Sequence, residues 1–271
     1  MPATYAHKKF GEDVQAALGE RFSEMAKFPH AFALGLHGPD PLFYYRPLAK
    51  NAVKEKGDSL HEARAAEFFD RARHVYLARG KRAADRAYLY AFACHFCLDS
   101  VCHGEVAHQM QRTGLTHVGI EAAFERMLLL EDGRDPLKAK LTAHIQPEED
   151  ALSALAAYCG VTKRQAKKAV KSMRFYSALL RAPNALRRSL VHLGLRLAGK
   201  YRKIAPMMIP TALTAAEEES CAALRPLYDR ALAKAIALIP NLAAFLSGEA
   251  ELDERFASNF ESEAIQQENE T

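Results

Sequence analysis

The segment that most constrains this chain is residues 82–111, which contains AYLYAFACHFCLDSVCHGEVAH. It holds no proline and is apolar on nearly every face, and a helix of that kind is stable only when other elements surround it. The segment therefore predicts a long central helix inside a bundle. The sequence sets three polar residues into it, His95, Asp99 and His103. Residues four apart advance about 40° around a helix axis, so the three form one slanting stripe. Imidazoles and a carboxylate in an apolar setting are costly to bury unless they are paired or bind a metal.

The remaining chain also reads as helical. Apolar residues make up 49% of 271, enough for a sizeable core, and helix formers dominate while Val and Ile rarely alternate with polar residues. Periodicity predicts helices over 8–27, 59–79, 82–111, 117–130, 147–159, 162–181, 184–199 and 214–246. Ser59 serves as N-cap of the second, with Glu62 in the capping-box position. The HGPDP stretch at 37–41 cannot be regular helix, so Asp40 is expected on a loop stiffened by proline. These features predict an all-α, single-domain multi-helix bundle over 1–249, with 250–271 a flexible acidic tail.

Further chemistry flanks the central stripe. His117 and Glu121 stand four apart on the next predicted helix, and His61 and Asp40 lie upstream. A nitrogen/oxygen donor set of this size suits zinc, and its number suits more than one ion. Close metal ions favour phosphoester hydrolysis because they acidify water and hold phosphate oxygens. Other arrangements carry less. Cys94 and Cys97 form a single CxxC inside an apolar helix and read as small buried residues. Glu105 and His108 form one ExxH without the second copy that a di-iron bundle requires. His37 and His108 are left open; His30, His74, His144 and His192 lack carboxylates in register and read as ordinary.

The segments YAHKKFG, GLHGPDPLFYY, SLHEA, CHFCLDSVCHGE and HVGIE, in that order within residues 1–125, resemble the zinc-dependent phospholipase C family, related to fungal and plant single-strand nucleases. The resemblance implies an all-helical fold with a zinc cluster in a cleft. By it, Asp40, His61, His95 and Asp99 would hold one zinc, and His103, His117 and Glu121 a second. His7 with a bridging Asp99 would contribute to a third. Asp40 would also be the general base, and two or three ions per chain are expected. Asp99 and His103 stand closer together than the matching pair in the secreted members. The amino-terminal tryptophan that those enzymes use has no counterpart, as the chain contains no tryptophan. Phe43, Tyr44 and Tyr45 follow the Asp40 loop and are candidates to line the cleft, or else core anchors.

Charge adds a partner question. No acidic residue lies between Asp150 and Glu217, while that stretch carries basic residues from Lys163 to Lys203. Such a distribution fits an anionic partner or a solvated basic face. Ala205 to Pro210 reads as an apolar loop beside those charges, a site for peripheral membrane contact or a buried helix break. The expected activity is a metal-dependent phosphodiesterase of phospholipase C type. A nuclease or nucleotidase, with nucleic acid as substrate only, and a non-catalytic metal-binding protein are the rivals. An odd number of scattered cysteines, with no signal-like or spanning apolar run read from the sequence, sets a cytoplasmic expectation.

Overall fold

A computed structural model describes residues 4–261, and among these there are helices and no strands. In chain order the helices are α1 Thr4–Leu18, α2 Glu24–Lys27, α3 Pro29–Gly35, α4 Ala52–Glu62, α5 Ala65–Ala78, α6 Ala83–Thr113, α7 His117–Glu131, α8 Glu149–Cys159, α9 Lys163–Leu180, α10 Ala185–Leu197, α11 Tyr201–Ile204 and α12 Ala215–Ser247. A 3-10 turn, Asp40–Tyr44, joins α3 towards α4. The protein is all-α, as its hydrophobic periodicity dictates.

Helix α6 is the axis of the structure, buried almost continuously from Ala87 to His103. It packs chiefly on α12 and α3, with α1, α2, α7 and α8 around them. Gly114 stops it in the left-handed conformation (φ 73°), and the Thr116 side chain then caps α7 by accepting from Gly119 N–H. Two glycines set close approaches. A Cβ on Gly35 would lie 2.4 Å from the Tyr88 carbonyl oxygen, so α3 presses directly on the α6 backbone. A Cβ on Gly38, which has φ 46°, would lie 2.3 Å from the His95 ring.

Several boundaries differ from expectation. The helix expected over 8–27 ends at Leu18, because Gly19 adopts φ 61°. The helix expected over 59–79 is two. Asn51, not Ser59, is the cap: its side chain accepts from Val53 and Lys54 N–H, and Ser59 donates back to the Glu55 carbonyl inside α4. Ala63 and Arg64 then run extended before α5. His61 consequently sits in the last turn of α4 rather than in a first turn. Helix α12 is long and apolar enough to cross a membrane by length and hydropathy. Its stripe Leu224, Tyr228, Ala231, Ala235, Leu238 and Leu242 is buried in this fold, where it serves as a core partner of α6.

The tail expected from 250 onward is also revised as far as Glu261, the last described residue. Phe256 and Phe260 are fully buried. Phe260 N–H donates to the His61 carbonyl at 3.2 Å, and Ala65 N–H to the Ser258 carbonyl at 2.9 Å. Two aromatic side chains in an acidic segment outweigh its polarity, because burying them removes far more apolar area than the charges cost at the surface. Residues 262–271 of that expected tail lie outside the described set.

Replacing Phe260 by Ala should destabilise the protein by about 3–5 kcal/mol, the usual range for emptying a buried aromatic site. Urea denaturation monitored by circular dichroism measures this; an unchanged midpoint would mean that the segment is not part of the core.

Candidate metal centre

Four helices and the 3-10 turn converge at the middle of α6. Helix α6 supplies His95, Asp99 and His103, α1 supplies His7, and α4 supplies His61. The turn supplies Asp40, and α7 supplies His117 and Glu121. Each is positioned by its neighbours. Pro39 and Pro41 flank Asp40, whose N–H donates to the His37 carbonyl at 2.9 Å. Gly57 lets α4 lie against Phe43 of the turn, where a Cβ would stand 3.1 Å from that ring. The Gly57 carbonyl also pairs with His61 Nδ1 at 2.9 Å, so Nε2 of that ring is the nitrogen left to face the centre. Glu125, one turn beyond Glu121 on α7, accepts from Tyr5 N–H at the start of α1. That contact ties the helix bearing His7 to the helix bearing Glu121.

The resulting distances suit ion pairs and hydrogen bonds, and they also suit donors that share a metal ion. His7 Nε2 lies 3.2 Å from Asp99 Oδ1, and His95 Nε2 lies 3.2 Å from Asp99 Oδ2. His61 Nε2 is 3.2 Å from Asp40 Oδ1, and His117 Nε2 is 3.2 Å from Glu121 Oε1. Two donors on one tetrahedral zinc, each about 2.0–2.1 Å from it, stand about 3.3 Å apart. Donor atoms of His7, His95 and Asp99, of Asp40, His61 and His95, and of His103, His117 and Glu121 each fall within 4.8 Å of one another. Asp99 is the hub, as it also stands 3.8 Å from His103 Nε2. His103 Nε2 is in turn 3.7 Å from Glu121 Oε1. His95 belongs to two of the groupings, so the groupings alone do not fix the number of ions.

Orphaned atoms supply the fit test. His61 Nε2, Asp40 Oδ1, both ring nitrogens of His95, Asp99 Oδ2 and Glu121 Oε2 are buried and make no hydrogen bond. Polar atoms in that state are strongly disfavoured. Divalent cations would satisfy them together, and the imidazole/carboxylate set suits zinc.

The electrostatics agree. Burial holds the His95 imidazole down at about 4, against the pull of Asp99, so the ring is neutral and its lone pair is available. For His103, burial acts downward, but the Asp99 carboxylate and the Glu121 contact prevail and raise it to about 10. His7 and His61 are raised in the same way, by Asp99 and Asp40 respectively, against burial. Asp99 and Glu121 stay well below the usual carboxylate range despite burial, because imidazoles surround them. Without cations the cluster is thus held together by imidazolium–carboxylate attraction, which protons and metals compete to supply.

The other singled-out residues separate clearly. Phe43 and Tyr44 line a cavity of about 700 Å³ that also reaches His117. Tyr45 is not on that wall; its ring lies under the Lys168 ammonium at 5.4 Å and beside Arg46. All five cysteines are free and buried, and none joins the donor groupings. Glu105 and His108 sit at the surface, 3.4 Å apart. His37 and His144, left open and read as ordinary respectively, pair through their Nε2 atoms at 2.8 Å behind His7. Glu125 was not singled out, although its i+4 spacing from Glu121 placed it on the ligand face. Burial, then the nearby Glu121, push its carboxyl well above the usual range.

An all-helical protein with a buried, multi-imidazole, multi-carboxylate centre of this kind has the donor set that a metal-dependent hydrolase uses. The family model for zinc-dependent phospholipase C matches residues 6–173, which include every ligand candidate, and the chain belongs to that family. Compared with curated proteins and with solved structures, the chain has no match.

Because His103 is raised to about 10 in the metal-free cluster, zinc uptake near neutral pH must displace its proton. Titrating the chelator-treated protein with zinc in buffers of different ionisation enthalpy should reveal release of about one proton or more per chain. Gly38→Ala should lower the zinc content measured by atomic absorption, since the new methyl displaces the His95 ring. Unaltered stoichiometry in that variant would remove His95 from the set.

Proposed function

We propose that this chain is a phospholipase C-type phosphodiesterase acting on phospholipid at a membrane surface. One observation carries the reading: the metal-ligand candidate His117 borders a large cavity lined mainly by apolar residues together with several basic ones. Leu137, Leu141, Leu180 and Ile209 are among its apolar residues, and Lys54, Arg181, Arg188 and Arg202 among its basic ones. Its volume lies within the usual range for small-molecule sites. Apolar lining residues suit acyl chains, and the cations among them suit a phosphodiester. A polynucleotide would instead call for stacking aromatics along the basic track, and the wall beside His117 offers mainly aliphatic ones.

His7, Asp40, His61, His95, Asp99, His103, His117 and Glu121 are the residues that would hold zinc. When bound, the ions would acidify water and neutralise the phosphate oxygens. The protein's own groups do the rest. Asp40, buried in its proline-flanked turn, would take a proton from the attacking water. Tyr44 lines the cavity, and its hydroxyl is kept protonated by burial and by Asp40. The Phe43 ring packs beside His61, at 5.3 Å between ring centroids. A reducing compartment such as the cytoplasm suits the five unpaired cysteines.

Parallel assays on phosphatidylcholine, phosphatidylglycerol and single-stranded DNA test the reading. Diacylglycerol release that chelation abolishes and zinc restores is the expected outcome. Asp40→Asn should lower kcat by about 10²–10⁴, the usual contribution of a positioned general base. Zinc content measured on the same sample separates that loss from loss of metal. Turnover of DNA alone would favour a nuclease, and bound zinc with no turnover of any phosphodiester would favour a binding protein.

A further inference from the structure

Helix α10 has no buried residue. Leu186, Leu190, Leu193 and Leu197 are 73%, 60%, 52% and 81% exposed. At about 100° per residue the four fall within a sector of about 60°, so they make a continuous leucine stripe facing away from the protein. The opposite face holds the helix down. Arg188 donates there to the Ile209 carbonyl at 2.7 Å and His192 Nδ1 pairs with the Tyr201 hydroxyl at 3.0 Å, while Arg187, at the edge of the stripe, donates to the Ala178 carbonyl at 2.8 Å. Phe175 and Leu179, one turn apart at the end of α9, are 62% and 45% exposed and extend the apolar surface. An apolar stripe of this kind left in water marks a docking site.

The charges nearby choose the occupant. Arg187 and Arg196 flank the stripe on either side, and no acidic residue occurs anywhere from 151 to 216. A twofold contact with a second copy would set this basic surface against itself with no carboxylate to offset it. A bilayer carrying anionic phospholipid supplies both what the leucines need and what the arginines need. The surface is also continuous with the cavity beside the candidate metal centre, which Arg188, Lys200, Arg202 and Lys203 help to line. The loop Ala205–Pro210, the membrane contact suggested by sequence, does not serve: Met208 and Ile209 are buried, and Met207 turns into the cavity.

We infer that α10, with the end of α9, is an interfacial helix that seats this protein on anionic phospholipid bilayers with the cavity mouth at the membrane. The inference rests on the hydrolase reading only for the purpose of docking, and binding can be read without turnover. Sedimentation of the full chain, with and without chelator, is measured against vesicles of phosphatidylcholine alone and with roughly one third phosphatidylglycerol. Binding should require the anionic lipid and weaken as salt rises. The double variant Leu190→Asp, Leu193→Asp should lose at least about tenfold in vesicle affinity. Its circular dichroism and its turnover of a soluble aryl phosphodiester should be unchanged. Arg187→Gln with Arg196→Gln should erase the preference for anionic vesicles. Equal binding to neutral vesicles, or full binding by the leucine variant, would overturn the inference. So would a dimer in solution that the leucine variant dissociates.

Discussion

The structure depends on one buried carboxylate. Asp99 sits in the middle of the most buried helix, within 3.2 Å of His7 and of His95 and 3.8 Å of His103. A lone anion there would be prohibitive. It persists because three imidazoles from two helices surround it and because cations can replace their protons. Everything else at the centre is arranged around that hub. Glu125 receives the amino-terminal turn of α1, Gly38 brings the turn onto the His95 ring, and Gly57 brings α4 onto the turn.

The same helix serves fold and site at once. Tyr88, Phe92 and Phe96 are buried along nearly the same face of α6 as the candidate ligand stripe His95, Asp99 and His103, with Val101 buried on the opposite side. Mixing the two is tolerable because the polar atoms cluster and share charge, whereas scattered they would each leave an unsatisfied group. Phe260 shows the coupling most directly: its ring lies 5.8 Å from His95 and 5.7 Å from His61, so the carboxy-terminal segment walls the centre.

What the sequence made legible was periodic. The central helix, the stripe on it and the His117/Glu121 pair follow from spacing alone, and the fold class from the absence of alternation. The proline-flanked Asp40 was readable because proline fixes the backbone. What it concealed depends on contacts between distant segments. Asn51 rather than Ser59 caps α4, which becomes evident only once Ala63 and Arg64 are seen to run extended. Gly19 carried its stop signal openly, but apolar residues on both sides kept the period going across it. Phe256 and Phe260 were masked by acidic neighbours. The exposure of the α10 leucines had no sequence counterpart, since an amphipathic stripe reads the same whether it is covered or bare.

The central claim is that imidazoles and carboxylates from α1, α4, α6, α7 and the Asp40 turn hold divalent cations in common. Anomalous diffraction from crystals of the zinc-loaded protein, recorded above and below the zinc edge, tests it most directly. The account predicts at least two strong peaks, with Asp99 within coordination distance of one and His117 and Glu121 of another. Peaks absent from this cluster, or bound by other residues, would contradict it.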